Sequence, residues 1–383
     1  MMLKGLTLRH LVLPGPGANV GGAAAAEAAV RGGAAAVVLQ TVTVNPGGLA
    51  GAAAGAGGAA RAGAAPARAV GQSFHRLPCS PVPFEAWLPT EFTAALAIAR
   101  AAGVPCIPSI GYTRDDVTAM GRRLALAGAD ALIFDTAHTP TDEIGPALAS
   151  LKALVEIPII LLAGPHHGED LPDLCARLEP FADAFALIGA FGPILQIDPE
   201  APAASPGLGF IAGPPIRPVM QRFLFETARK VSKPVIAYGG IATGADVAEA
   251  LMLGAAATMV TTAAVAQGPG AYGRIAAEFD QWLLEHGHTH YAAVSRAYLR
   301  KYGQGQRVIT EKEETPYLVA EACITCTFCE TVCFYDAIVA PPKTLPTLSE
   351  EPCFQCGLCV SACPTDALRF RPRDEVTLLS EGE

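Results

Sequence analysis

Eight of the eleven cysteines fall into two runs of identical spacing. Cys323, Cys326, Cys329 and Cys333 read C-x2-C-x2-C-x3-C, and Cys353, Cys356, Cys359 and Cys363 repeat that pattern thirty residues later, ending in Pro364. Such short spacers let three thiolates converge on one cubane, while the fourth cysteine of each run crosses to the other cluster, as in two-cluster ferredoxins. The spacing therefore predicts two [4Fe–4S] clusters, one on Cys323, Cys326, Cys329 and Cys363, the other on Cys353, Cys356, Cys359 and Cys333. Structural zinc is the competing reading, but zinc sites use two separated pairs of ligands rather than duplicated four-cysteine runs. Crossed ligation forces the clusters close together, so the segment is expected to act as an electron wire. The first run departs from the second in one respect: Phe334 stands where Pro364 follows Cys363.

Cluster ligands must be free thiols, which places the chain in a reducing compartment and predicts a cytoplasmic protein. No apolar run approaches the roughly 20 residues of a membrane span, and Leu11–Ala26 is broken by Pro14, Pro16 and glycines, so neither a span nor a signal peptide is expected. The net charge is −9, and residues 311–383 hold thirteen Asp or Glu against five Lys or Arg. That acidity disfavours nucleic acid and suits a basic redox partner docking on the C-terminal part. With 383 residues, 51% of them hydrophobic, the chain exceeds one ordinary core and predicts a folded, oligomeric or partner-bound protein.

Before the cysteines, short apolar runs alternate with helical patterns. Candidate strands are Ala36–Leu39, Ala69–Gln72, Cys106–Ile110, Ala131–Phe134, Ile159–Leu162, Ala184–Ile188, Val235–Ala237 and Thr258–Val260. Eight such runs suit a (β/α)8 TIM barrel over 1–300, followed by a linker at 301–315 and a small α+β ferredoxin domain at 316–383; a doubly wound sheet would also alternate. Gly47–Ala65, almost all Gly and Ala, reads as a loop or a degraded helix, and Ala271–His286 as an amphipathic helix ended by Gly287. Glycines at the ends of the last two strands let backbone N–H groups approach a phosphate, which makes Gly239, Gly240, Thr261 and Thr262 candidates for a phosphate site. Ordinary glycine turns are the plainer alternative.

The Gly207–Ala263 stretch, with Leu3–Asn19, Val38–Pro46, Pro108–Val117 and Gly128–Ala131, resembles the dihydroorotate dehydrogenase and dihydropyrimidine dehydrogenase group of flavoproteins over residues 1–290. The appended cysteine module is similar to the dihydropyrimidine dehydrogenase subunit that joins an FMN barrel to two clusters. The resemblance implies FMN at the barrel top, with phosphate contacts at Gly213, Gly239, Gly240, Thr261 and Thr262. It also implies an oxidoreductase that exchanges electrons with the CH–CH group of an unsaturated, dihydropyrimidine-like small molecule.

This sequence departs from the family at the reacting end. The family's loop after the fourth strand, which brings the base and substrate-binding asparagines, aligns with Phe134-Asp-Thr-Ala-His-Thr-Pro; Gln40 stands for one family lysine, and Ile160–Ala163 contains no counterpart of the other. Three readings follow: a different substrate, a flavin that only relays electrons, or a barrel without flavin, in which case the chain would be a non-catalytic electron-transfer or scaffold subunit. In a catalytic site, His138 is the candidate general acid, with Asp135 orienting it. The barrel-face pair His166 and His167 is a lesser candidate; His286, His288 and His290 read as an exposed helix end, and Cys79, Cys106 and Cys175 as packing residues. No nicotinamide-binding glycine fingerprint opens a helix after a strand, so an NAD(P)H-dependent flavin subunit or a ferredoxin would have to supply or accept the electrons.

Overall fold

A computed structural model describes residues 2–3, 5–17, 20–44, 72–74, 79–165, 170–196, 207–302 and 314–372. It divides into two compact units, Met1–Gln304 and Gly305–Glu383.

The first unit is built on eight parallel strands: β1 (Val12–Pro14), β2 (Val37–Val42), β3 (Cys106–Ile110), β4 (Leu132–Asp135), β5 (Ile159–Ala163), β6 (Ala184–Ile188), β7 (Val235–Tyr238) and β8 (Ala255–Val260). Neighbours in sequence pair all the way from β2 to β8, and β8 pairs with β1. The Ala35 N–H, just before β2, donates to the Val12 carbonyl of β1 at 3.2 Å, which brings the ends of the sheet together. The result is a near-closed TIM-type barrel.

Seven of the eight strands coincide with apolar runs in the sequence. Of the run Ala69–Gln72 only Gln72 is among the described residues, and it is not in the barrel sheet. Gln72 begins a short strand (Gln72–Phe74) that joins Gly207–Ala212 and Phe191–Gln196 in a separate antiparallel sheet. The missing strand is Val12–Pro14, three residues long and followed by Gly15 and Pro16. Its prolines and glycines hide it from a search for long apolar runs; pairing with β8 is what makes it a strand.

Barrel side chains alternate in and out with the pleat. Val38, Ile107, Ile133, Ile160, Ala186, Ile236 and Ala257 belong to one buried cluster, which Leu6 and Leu8 join from the N-terminal segment. The same period places the next inward position at Ser109, Asp135, Leu162, Ile188, Tyr238 and Met259, while on β2 a register shift between Leu39 and Val42 brings Thr41 to Ser109 and Asp135. Polar residues thus enter the interior only at the C-terminal ends of the strands. Helices cover the outside, among them Arg114–Leu126 and Gly244–Met252, each opened by a capping box, Thr113 with Asp116 and Thr243 with Asp246. The expected helix after the last strand runs Ala271–Glu285, and Gly287 beyond it has φ +72. A helix at Ala297–Tyr302, with Leu299 buried, reaches the first two residues of the expected linker, and 303–313 lie outside the described residues.

The second unit is a duplicated ferredoxin module. Helices Phe328–Thr331 and Leu358–Ala362 carry the third cysteine of each run, Cys329 and Cys359, and strand Glu314–Leu318 pairs antiparallel with Leu368–Pro372. Its core is small: Ile338, Cys359 and Leu368 are buried, with Leu318, Val332, Leu348 and further cysteines packed around them. Among the described residues no helix is long and apolar enough to cross a membrane.

Candidate active site and cluster cavities

The C-terminal mouth of the barrel holds a cleft of about 950 Å³, including its open side. Four of its walls come from strand ends: Asp135 after β4, Leu162–Gly164 after β5, Ile188–Ala190 after β6 and Tyr238–Ile241 after β7. Phe210 and Ala212 of the antiparallel sheet and Gly213, Thr261 and Thr262 complete it. All five residues expected at a phosphate line this cleft. Gly213, Gly239 and Gly240 have φ of +91, +142 and +78, a region that other residues enter only at a cost. A side chain on Gly240 would lie 2.7 Å from the Arg217 Cβ, and one on Gly239 would lie 3.0 Å from Ile216. Bare backbone is therefore required here, as close approach to a phosphate demands. Arg217 itself is tied to Asp246.

The remainder of the lining is apolar, with Asp135 as its one acid and no lysine or arginine among the described residues. Asp135 is buried, and burial pushes its carboxyl above the ordinary value against two opposing hydrogen bonds. Thr41 donates its hydroxyl to Oδ2 at 2.7 Å, and the Ala137 N–H donates to Oδ1 at 3.0 Å. Ser109 extends the network to Thr41 at 2.9 Å. Tyr238 shares a hydrogen bond with Thr261 at 3.0 Å, and burial pushes its phenol to about 12, so it is neutral.

His138 takes a different place. It sits on the exposed turn after β4, outside the cleft lining, with its ring edge-on to buried Tyr112 at 4.6 Å. Desolvation on that side lowers its pKa, and the charge of Asp135 partly offsets this. The oxygens of Asp135 are engaged by Thr41 and Ala137, so the coupling between acid and histidine is electrostatic.

The cysteine module contains two further cavities. One is lined by Cys323, Cys326, Cys329 and Cys363, the other by Cys333, Cys353, Cys356 and Cys359. Each takes three cysteines from one run and the fourth from the other. Backbone N–H groups point at the sulfurs: Thr325 to Cys323 and Gln355 to Cys353, both at 3.4 Å, and Ala367 to Cys363 at 3.2 Å. Hydrogen-bond donors aimed at cluster sulfurs are among the features that tune such clusters. Among the described residues no three His, Cys, Asp or Glu side chains converge tightly enough for one metal ion. A cubane gives each cysteine its own iron, so it needs the wider spacing.

Comparison with known proteins agrees with both halves. Residues 189–283 match the dihydroorotate dehydrogenase family model, and residues 318–370 match the 4Fe-4S dicluster domain. The chain is a dihydroorotate-dehydrogenase-like barrel joined to a 4Fe-4S dicluster domain. Over 202 residues it is 31% identical to the dihydroorotate dehydrogenase B (NAD(+)) catalytic subunit of Geobacter sulfurreducens, covering 49% of this chain and 66% of that protein. The same-named protein of Geobacter metallireducens is 34% identical over 147 residues, covering 37% and 48%, and that of Thermoplasma acidophilum 24% over 206 residues, covering 50% and 68%. The chain thus spans between about half and about two thirds of the length of these relatives.

Within the dihydroorotate-dehydrogenase-like barrel, Gln40 is buried on β2, where the family resemblance implies a lysine. Thr41, Ser109, Tyr238 and Phe210 were not singled out in the sequence. Strand parity marks Ser109 and Tyr238 once the barrel strands are known, but Thr41 and Phe210 carry no such signal. His166, His167 and all of Gly47–Ala65 lie outside the described residues. His286 stacks on Trp282 at 4.0 Å and His290 packs on Tyr291, so these histidines face neighbouring aromatic rings. Cys106 and Cys175 are buried with thiols pushed to about 12, inert packing groups, and Cys79 is half-buried.

Proposed function

We propose that the protein is an FMN-dependent oxidoreductase acting on the CH–CH group of an unsaturated, dihydropyrimidine-like substrate, and that two [4Fe–4S] clusters link it to a redox partner. The observation that carries this reading is the glycine-walled cleft at the mouth of a dihydroorotate-dehydrogenase-like barrel. Gly213, Gly239, Gly240, Thr261 and Thr262 would hold the FMN phosphate, because three of them leave backbone uncovered and two bring hydroxyls. When bound, FMN would supply two-electron exchange with an organic substrate and one-electron exchange with iron–sulfur centres. The eight cysteines would hold the clusters as the two cavities group them. An open cleft, rather than a filled barrel mouth, favours the enzyme over a docking platform.

In this reading the protein contributes position and protons. Asp135, held by Thr41 and the Ala137 N–H, would be the titratable group at the cleft wall, its pKa raised above the ordinary carboxylate value because burial disfavours its charge. His138, outside the cleft and coupled to Asp135 through charge alone, would face solvent, its pKa lowered by desolvation so that the imidazole is neutral near pH 7. Apolar walls would exclude water from the reacting face. Gln40 and the lack of lysine or arginine among the described lining residues would give negative charge on a reduced flavin no side-chain cation from them, so the substrate and the potential are expected to differ from those of lysine-bearing relatives.

Anaerobic purification, acid extraction with chromatography of the released cofactor, and an iron count on the same sample test this. About one FMN and about eight irons per chain are expected. Eight irons without flavin would overturn the enzymatic reading.

A further inference from the structure

The two halves of the ferredoxin module share one backbone and differ in side chains. At a thirty-residue offset, Thr325 and Gln355 have φ of +53 and +57, Thr327 and Gly357 +63 and +77, and Asp336 and Asp366 +50 and +51. Equivalent positions therefore stand in equivalent places around the two cavities. Around the cavity of Cys323, Cys326, Cys329 and Cys363 these positions hold Ile324, Pro364 and Thr365. Around the other they hold Phe354, Phe334 and Tyr335.

This aromatic set lies at the surface. Phe334 is 81% exposed and Phe354 71%, and Tyr335 stacks on Phe354 with ring centres 5.0 Å apart. Tyr335 and Phe354 line the cavity of Cys333, Cys353, Cys356 and Cys359, and Phe334 and Phe354 directly follow Cys333 and Cys353 in the chain. Water-facing aromatics are unfavourable alone but are the residues that fill the centre of protein interfaces. Exposed Asp336, Glu350 and Glu351 border them in sequence and form no ion pair among the described residues. An apolar centre with an acidic rim complements a basic partner.

We propose that this aromatic face is the docking site of a basic one-electron redox protein, and that the cluster on Cys333, Cys353, Cys356 and Cys359 is the module's port. The proposal rests on the cluster reading given above. In the exchange, one electron leaves the reduced cluster, which returns from the 1+ to the 2+ state, and reduces the partner's one-electron centre. The other cluster lacks the aromatic set and would be the second centre of the wire.

The duplication supplies a matched test, because Glu321 and Glu351 are equivalent and both exposed. Photoreduced full-length holoprotein is mixed with oxidised cytochrome c, a basic one-electron acceptor, in a stopped-flow instrument. Iron content and the reduced-state EPR signal are measured on every sample. Glu351→Lys should slow the transfer about tenfold and Phe334→Ala about fivefold, whereas Glu321→Lys should change it less than about twofold. Equal slowing by the two lysine substitutions would mean general charge steering and would overturn the proposal, as would an unaffected Phe334→Ala. A wild-type dimer that dissociates on Phe334→Ala in sedimentation would also overturn it, since a second copy would then cover the face. A wild type lacking iron and EPR signal would instead remove the cluster reading beneath it.

Discussion

The barrel and the ferredoxin module solve opposite problems with their cores. The barrel buries a continuous set of aliphatic and aromatic side chains, from Leu13 and Val38 to Phe185 and Met259, and its polar chemistry occupies only the last inward layer of the strands. The module buries little beyond Ile338, Ala337, Ala340, Ala367 and Leu368, and its remaining packing is shared with cysteines that face the cluster cavities. A unit of this size lacks enough apolar burial to offset chain entropy without a staple. In the barrel, then, the fold makes the site; in the module, the site makes the fold.

The sharpest way to break this contrast is to withhold iron. Purified without metal, the chain should lose protease resistance across 314–372 almost completely while the barrel remains intact, as mass spectrometry of limited digests would show. A module equally resistant without iron would refute the dependence. Crossed ligation gives the next effect. Cys363→Ala should leave about four of about eight irons, the double variant with Cys323→Ala the same, and the double variant with Cys353→Ala nearly none. Ligation within each run would reverse the two doubles.

In the barrel the effects should be smaller, because the fold does not depend on the ligand. Gly240→Ala places a side chain against Arg217 at a φ of +78, which costs roughly 1–2 kcal/mol. Unfolding should move to a slightly lower temperature, and FMN should bind about tenfold more weakly, read from the quenching of flavin fluorescence. Unchanged binding would remove Gly240 from the phosphate site.

The smallest effect is a titration. The His138 imidazole should titrate below 6.5 by NMR, and Asp135→Asn should lower it further, since the Asp135 charge is the influence that raises it. A folded pKa below the unfolded one means that the unfolded chain takes up the proton first. His138 therefore contributes stability above about pH 6.5 that is lost as the pH falls through its lowered pKa. Asp135 has the opposite sign: its raised pKa favours the folded state at low pH, and that contribution is lost as the pH rises through the raised value. An upward move of the His138 midpoint in Asp135→Asn would show the coupling to be wrong.

Local order alone made much of this legible. Cysteine spacing is a short-range pattern, and it foretold which four thiols share each cavity. Apolar runs located seven barrel strands, because a strand buried on both faces must be apolar throughout. Gly239 and Gly240 were visible as glycines at the end of such a run. Three things required the folded chain. Val12–Pro14 is a strand only because β8 lies beside it, whereas the run ending at Gln72 was apolar enough for the barrel, and Gln72 pairs elsewhere. Asp135 rather than His138 faces the cleft because the pleat turns alternate residues inward and the turn after β4 carries His138 out. Thr41 meets Asp135 and Phe210 meets the cleft from distant elements that sequence distance cannot bring together. Covalent spacing along a short segment is fixed by the sequence, while the strand that fills a gap and the side chain that faces a cavity are decided by what packs on the other side.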